Sequence, residues 1–124
     1  MQTALLQLNS SDDPIANLKV TLQMIRDAAS DGARFILTPE VTNCFAVSRR
    51  RQAEVLQHQE DDQTLAAIRS IAAELGVSVL IGSLALKTDD EDERFANRSF
   101  MIGPSGSIQA WYDKIHMFLS LIHI

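Results

Sequence analysis

A chain of 124 residues, 46% apolar and 22% charged, has ordinary globular composition and the length of one domain with a modest core. Its formal net charge of -5 excludes the basic stripe that binds nucleic acid or anionic lipid, and leaves a small molecule or another protein as the expected partner. No stretch approaches membrane-spanning length, Met1 to Gln7 lacks a signal peptide's basic start and long apolar core, and the single cysteine, Cys44, fits a reducing compartment. The expected localisation is therefore cytoplasmic.

Thr3 to Leu8 reads as a short strand, with Ala4, Leu5 and Leu6 consecutive and the polar run Asn9-Ser-Ser-Asp-Asp13 closing it. Asp13 is suited to cap a helix that has Pro14 at its first position. Ile15, Leu18, Leu22, Ile25 and Ala29 then recur at helical spacing, and with Gly32 as the stop they predict a helix over Pro14 to Ser30. Arg34 to Leu37 follows as a strand whose continuous apolar run, Phe35-Ile-Leu37, is that of a strand covered on both faces. Pro39 has no N–H for a sheet ladder, so the strand ends about there. Glu40 is left at the carboxyl end of a parallel strand, the edge where open α/β sheets hold ligands.

From Val41 to Glu60 the periodicity weakens to a loop with a helical turn or two around Gln52 to Gln57. A loop this long, leaving the end of a central strand, has the character of an active-site loop. A second helix is predicted over Asp62 to Leu75, with Leu65, Ile68, Ala72 and Leu75 on one face and Gly76 as its stop. Val77 to Leu86 reads as a third, buried strand. The acidic run Asp89 to Glu93 lacks the alternating ligands and turn glycine of a calcium loop, and reads as a solvated hairpin tip. Phe95 to Ile102 and Ser107 to Tyr112 are two further strands. Gly103-Pro-Ser-Gly106 joins strand to strand rather than opening a helix, which makes it a turn and not a phosphate loop. The expected class is α/β: a mixed sheet, βαβαβ then antiparallel hairpins, with the two main helices on one face. After His116 the tail Met117 to Ile124 is apolar and has no turn chemistry, and an uncovered sheet edge there would invite association.

Two residues stand out as candidates for chemistry. Glu40 and Lys114 each lie just past the end of a strand, where the ordinary alternative is a surface salt bridge. A glutamate meant as a general base needs burial or a like charge to rise above about 4.3, and a neighbouring lysine pulls the other way. Such a pair suits a site in which the carboxylate takes a proton from a nucleophile while the ammonium stabilises developing negative charge. Cys44 could be a nucleophile with His58, His116 or His123 as partner, although a lone free cysteine is usually a small buried hydrophobe. No histidine or cysteine lies at zinc spacing from His116, and no cofactor or metal is implied.

The strand ending Leu37-Thr-Pro-Glu40, the run Asn97-Arg-Ser-Phe-Met-Ile-Gly103, the turn Pro104-Ser-Gly106, the segment Tyr112-Asp-Lys-Ile-His116 and the opening Ala4 to Asn9 occur here in one order and spacing. Together they resemble the N-terminal half of the nitrilase superfamily, the carbon-nitrogen hydrolases, nearest to bacterial amidases of the deaminated-glutathione and omega-amidase kind. The resemblance implies an α-β-β-α sandwich, a homo-oligomeric parent protein, and a glutamate-lysine-cysteine triad that hydrolyses a small amide or nitrile. Glu40 matches its general base and Lys114 the residue that stabilises the tetrahedral intermediate. The family's cysteine and a second, supporting glutamate lie downstream of that lysine, Cys44 is out of place for the nucleophile, and Leu119 to Ile124 departs from the family's polar continuation. The expectation is a fragment in which residues 1–118 are the N-terminal part of a hydrolase domain and 119–124 an atypical tail, inactive as given. The alternatives are a non-catalytic piece that binds a partner through its unfinished sheet, and an unrelated α/β cysteine hydrolase using Cys44.

Overall fold

The computed structural model describes residues 2–7, 11–44, 48–89 and 95–113. Lys114, His116, His123, the 119–124 tail and most of the acidic run 89–93 lie outside the described residues. The elements in chain order are β1 (Thr3–Leu5), α1 (Pro14–Ser30), β2 (Phe35–Thr38), α2 (Arg49–Val55), a 3-10 turn at Gln59–Asp61, α3 (Gln63–Leu75), β3 (Ser78–Lys87), β4 (Phe95–Ile102) and β5 (Ile108–Asp113).

The helices begin and end where the local chemistry directs. The Asp13 carboxylate accepts hydrogen bonds from the Ile15 and Ala16 N–H groups at 3.1 and 3.3 Å, with Pro14 at the head of α1 where a missing N–H costs nothing. Asp62 accepts from Leu65 N–H at 2.8 Å at the start of α3, and Gly76 closes that helix at φ 65°, a left-handed conformation that glycine adopts without strain.

The strands form one sheet in the order β1-β2-β3-β4-β5; β1, β2 and β3 are parallel, and β4 and β5 add as antiparallel hairpins. Both parallel crossovers step in the same direction along the sheet. A right-handed connection therefore puts α1 and α3 on the same face, as the sequence predicts, and Arg26 of α1 pairs there with Glu74 of α3. The register lines up Ala4, Ile36, Val79, Ile102 and Ile108 across all five strands on the helix-covered face, where they meet Ile25, Leu65, Ile68 and Ile71 in one core. One residue further on, Leu5, Leu37, Leu80, Met101 and Ala110 form a second row across the sheet on the opposite face. Leu5 is 70% exposed there, whereas Ala85, further along β3 on that face, is covered by Cys44, Leu56 and Val55 of α2.

The boundaries differ from the sequence reading in physically simple ways. β1 stops at Leu5 rather than Leu8, although buried Leu6 still donates its N–H to the Leu37 carbonyl at 2.9 Å; Leu8 lies outside the described residues. β2 runs one residue further, to Thr38, and β5 takes in Asp113 because Arg98 on β4 holds its carboxylate. The predicted turn around Gln52 is a helix from Arg49 to Val55, capped by the Ser48 hydroxyl.

Candidate active site

β2 ends at Thr38 because Pro39 has no hydrogen to donate, and Glu40 follows as an exposed residue on the carboxyl edge of the sheet. The backbone on either side of Glu40 is tied to β3 at a β-bulge. Pairing passes from Ile81–Phe100 to Leu84–Arg98, three residues on β3 against two on β4, so Gly82 and Ser83 share the space of one. The bulge turns Ser83, fully buried, toward the Glu40 turn. Ser83 N–H donates to the Pro39 carbonyl at 3.3 Å, its hydroxyl oxygen accepts from Val41 N–H at 2.8 Å, and its carbonyl accepts from Thr42 N–H at 3.0 Å.

Further bonds close the turn on itself. The Thr42 hydroxyl donates to the Pro39 carbonyl at 2.6 Å and lies 2.9 Å from the Thr38 hydroxyl oxygen, which accepts from Gly82 N–H at 3.3 Å. Val41 is held at φ 46°, the only positive φ outside glycine among the described residues. A β-branched side chain in the left-handed region costs on the order of 1–2 kcal/mol, so the conformation persists because the surrounding bonds impose it.

Asn43, 1% exposed, anchors the next step of the loop. Its side-chain amide accepts from Ala85 N–H at 2.9 Å and donates to the Ala85 carbonyl at 2.8 Å, as a neighbouring strand would. Its own carbonyl accepts from the Asn17 side chain of α1 at 2.9 Å, and it hydrogen-bonds the Asp62 carboxylate at the start of α3. Burial pushes the Asp62 carboxyl above its usual range, opposed by the bonds from Leu65 N–H, Asn43 and Thr64 N–H. The loop leaving Glu40 is thus fastened to two helices and a strand.

At the same edge, β5 ends. It runs parallel to β2 and β3, since two antiparallel steps separate it from β3, so all three finish on the side of Glu40. The last residue, Asp113, accepts both arms of the Arg98 guanidinium at 2.6 and 3.0 Å; Arg98 also donates to Gln59 at 2.6 Å and stacks 4.3 Å from the centre of the Trp111 ring. Lys114, the sequence neighbour of Asp113, lies outside the described residues, so the predicted pairing of Glu40 with Lys114 is not observed.

Cys44 is 2% exposed and packs with Leu56 and Ala85 in a small cluster under the loop. Burial pushes its thiol pKa up, and the Asp12 carboxylate adds to the effect. An activated nucleophile needs the reverse, a depressed pKa and access, so this site is that of the buried hydrophobe. His58 Nε2 lies 3.2 Å from exposed Asp89, and no group of three or more potential metal ligands gathers among the described residues. Sequence reasoning missed Ser83, Asn43 and the Arg98–Asp113 fork. Of these only Ser83 left a trace, a glycine before it inside an apolar strand, which marks a bulge or a close approach.

Comparison with known proteins gives the family and supports the fold. The Carbon-nitrogen hydrolase family model matches residues 2–123. A hydrolase of Mycobacterium tuberculosis is 35% identical over 121 residues, covering 95% of this chain and 41% of the relative. The deaminated glutathione amidase of Yersinia enterocolitica is 34% identical over 117 residues, covering 93% of this chain and 40% of the relative. Among solved structures, the C. elegans NitFhit protein superposes with a TM-score of 0.78 at 20% identity, over 92% of this chain and 29% of that one. An amidase from Nesterenkonia sp. does so with a TM-score of 0.74 at 23% identity, over 93% and 43%. The chain spans about two fifths of the length of the first two relatives. It belongs to the carbon-nitrogen hydrolase family.

Proposed function

We propose that these residues form the N-terminal part of a hydrolase that cleaves the carbon-nitrogen bond of a small amide or nitrile, with Glu40 as general base and Lys114 as the cation that stabilises the tetrahedral intermediate. The observation that carries the reading is the position of Glu40. It sits at the carboxyl end of a central parallel strand, in a turn bonded to β3 on both sides, on the edge where β5 also ends. The named activities of relatives, a deaminated glutathione amidase and an omega-amidase of Arabidopsis thaliana, point to short acyl amides.

In this mechanism Glu40 accepts the proton of a thiol, the thiolate attacks the carbonyl carbon, and Lys114 faces the oxyanion. Collapse expels ammonia with the proton returned by Glu40, and water activated by the same carboxylate cleaves the thioester. Cys44 does not supply the thiol, being buried with a raised pKa. The nucleophile belongs to the part of the relatives' length that these residues do not span. An acrylamide adduct at the active-site cysteine of the Nesterenkonia sp. AN1 amidase supports thiol chemistry on this fold. Residues 1–124 alone are accordingly inactive, because members of a catalytic unit are strongly non-additive.

A second reading, a non-catalytic piece that binds a partner through its open sheet, draws on the uncovered row from Leu5 to Ala110. The two separate in an assay of this chain beside a version extended by its downstream half, against short-chain amides including omega-amides of keto acids. Turnover only in the extended protein, reduced on the order of 100-fold or more in Glu40→Gln and Lys114→Ala, supports the hydrolase. Turnover by the short chain that disappears in Cys44→Ala overturns it, and an extended protein with no turnover leaves the interaction reading.

A further inference from the structure

We propose that Ser83 is the positioning residue of the site: through its hydroxyl it holds Val41 in the left-handed conformation and so sets where the Glu40 carboxylate stands. Ser83 bonds to Pro39, Val41 and Thr42, the residues that bracket Glu40, and it bonds to them with its N–H, its hydroxyl oxygen and its carbonyl respectively. The two backbone contacts would survive any side chain. The hydroxyl contact would not, and it falls on Val41, which is held at φ 46°. Without that acceptor the half-buried Val41 N–H loses its partner, and the strain of a β-branched residue in the left-handed region drives the turn to relax. Because Val41 directly follows Glu40, a change in its φ swings the chain on the carboxylate's own side. The bulge keeps Leu84 and Leu86 on the core face with Val79 and Ile81, and it turns Ser83 toward the Glu40 turn.

The inference rests on Glu40 as the proton acceptor proposed above. Its test reads backbone position, whereas turnover of Glu40→Gln reads the acceptor role, so either can fail alone. Ser83→Ala, Val41→Gly and the double variant are made in the 124-residue chain and followed by amide hydrogen exchange, backbone NMR shifts and equilibrium unfolding. Ser83→Ala is expected to lower protection of the Val41 amide by roughly tenfold, the equivalent of one buried hydrogen bond, and to move the Glu40 and Thr42 amide resonances. The Ile36 and Val79 amides in the sheet ladder serve as controls and stay protected. Glycine accepts the left-handed φ unaided, so in the Val41→Gly background the same substitution leaves the Glu40 resonance near its parent position and changes the unfolding constant less. If Ser83→Ala alone fails to fold, the double variant folds. An equal effect of Ser83→Ala in both backgrounds, an unchanged Val41 amide, or a double variant that also fails to fold would overturn the proposal.

Discussion

Gly82 lies against the backbone of Pro39 with no room for a side chain between them: a Cβ on Gly82 would stand 2.6 Å from the Pro39 carbonyl carbon and oxygen, and 2.4 Å from the Thr38 carbonyl oxygen. The neighbours are backbone atoms on the turn that carries Glu40, so nothing flexible can yield. The closeness lets Gly82 N–H reach the Thr38 hydroxyl and Ser83 reach both sides of Glu40.

Gly82→Ala should therefore displace the Glu40 turn from β3. The expected cost is about 1–3 kcal/mol, the range for forcing one methyl group into a filled space. Urea unfolding of parent and variant measures it, and a variant as stable as the parent would show that the turn is not seated as described.

Cys44 should be inert. Its raised pKa and burial leave little thiolate at neutral pH, so a disulfide-exchange reagent should modify the folded chain far more slowly than the chain in denaturant. Equal rates in the two states would sink this and revive a nucleophilic role.

Asp62 gives a pH dependence whose sign follows from burial. Burial raises its folded pKa above the ordinary aspartate value, so between the unfolded and folded values the native state binds more protons. This group's contribution to stability therefore falls as pH rises through that window. Asp62→Asn keeps an acceptor for Leu65 N–H and carries no charge to desolvate. Its stability relative to the parent should improve as pH is raised from about 4 to 7, while Asp62→Ala should cost about 1 kcal/mol as a lost helix cap. Unfolding midpoints at both pH values check the pair; a relative stability of Asp62→Asn that declines with pH would contradict the assignment.

Arg98 joins β5 to the turn at Gln59, and its side chain is about four fifths buried. Arg98→Met should cost about 1–3 kcal/mol, as for hydrogen bonds to a charged group. Trp111, the single tryptophan, loses the stacked cation, so the emission should move to longer wavelength. Unchanged fluorescence and stability would mean that the fork contributes nothing in solution.

The elements were legible in the sequence because their signals are local. Asp13 with Pro14, Gly32 and Gly76 mark helix ends through groups only a few residues apart, and the missing N–H of Pro39 ends β2 just where Glu40 begins. The family motifs, too, lie on contiguous stretches, from Leu37 to Glu40 and from Asn97 to Gly103. What the tertiary structure decided is everything that depends on register. Asn43 and Ala85 are 42 residues apart, and only the parallel pairing of β2 with β3 sets one beside the other. The extra residue at Gly82 and Ser83, which the glycine only hints at, is fixed when β4 supplies two partners for three positions, and the common edge of Glu40 and Asp113 follows from strand order rather than from either residue. A side chain's own chemistry states what it can bond to; which backbone comes within 3 Å of it is set by where the sheet places distant segments of the chain.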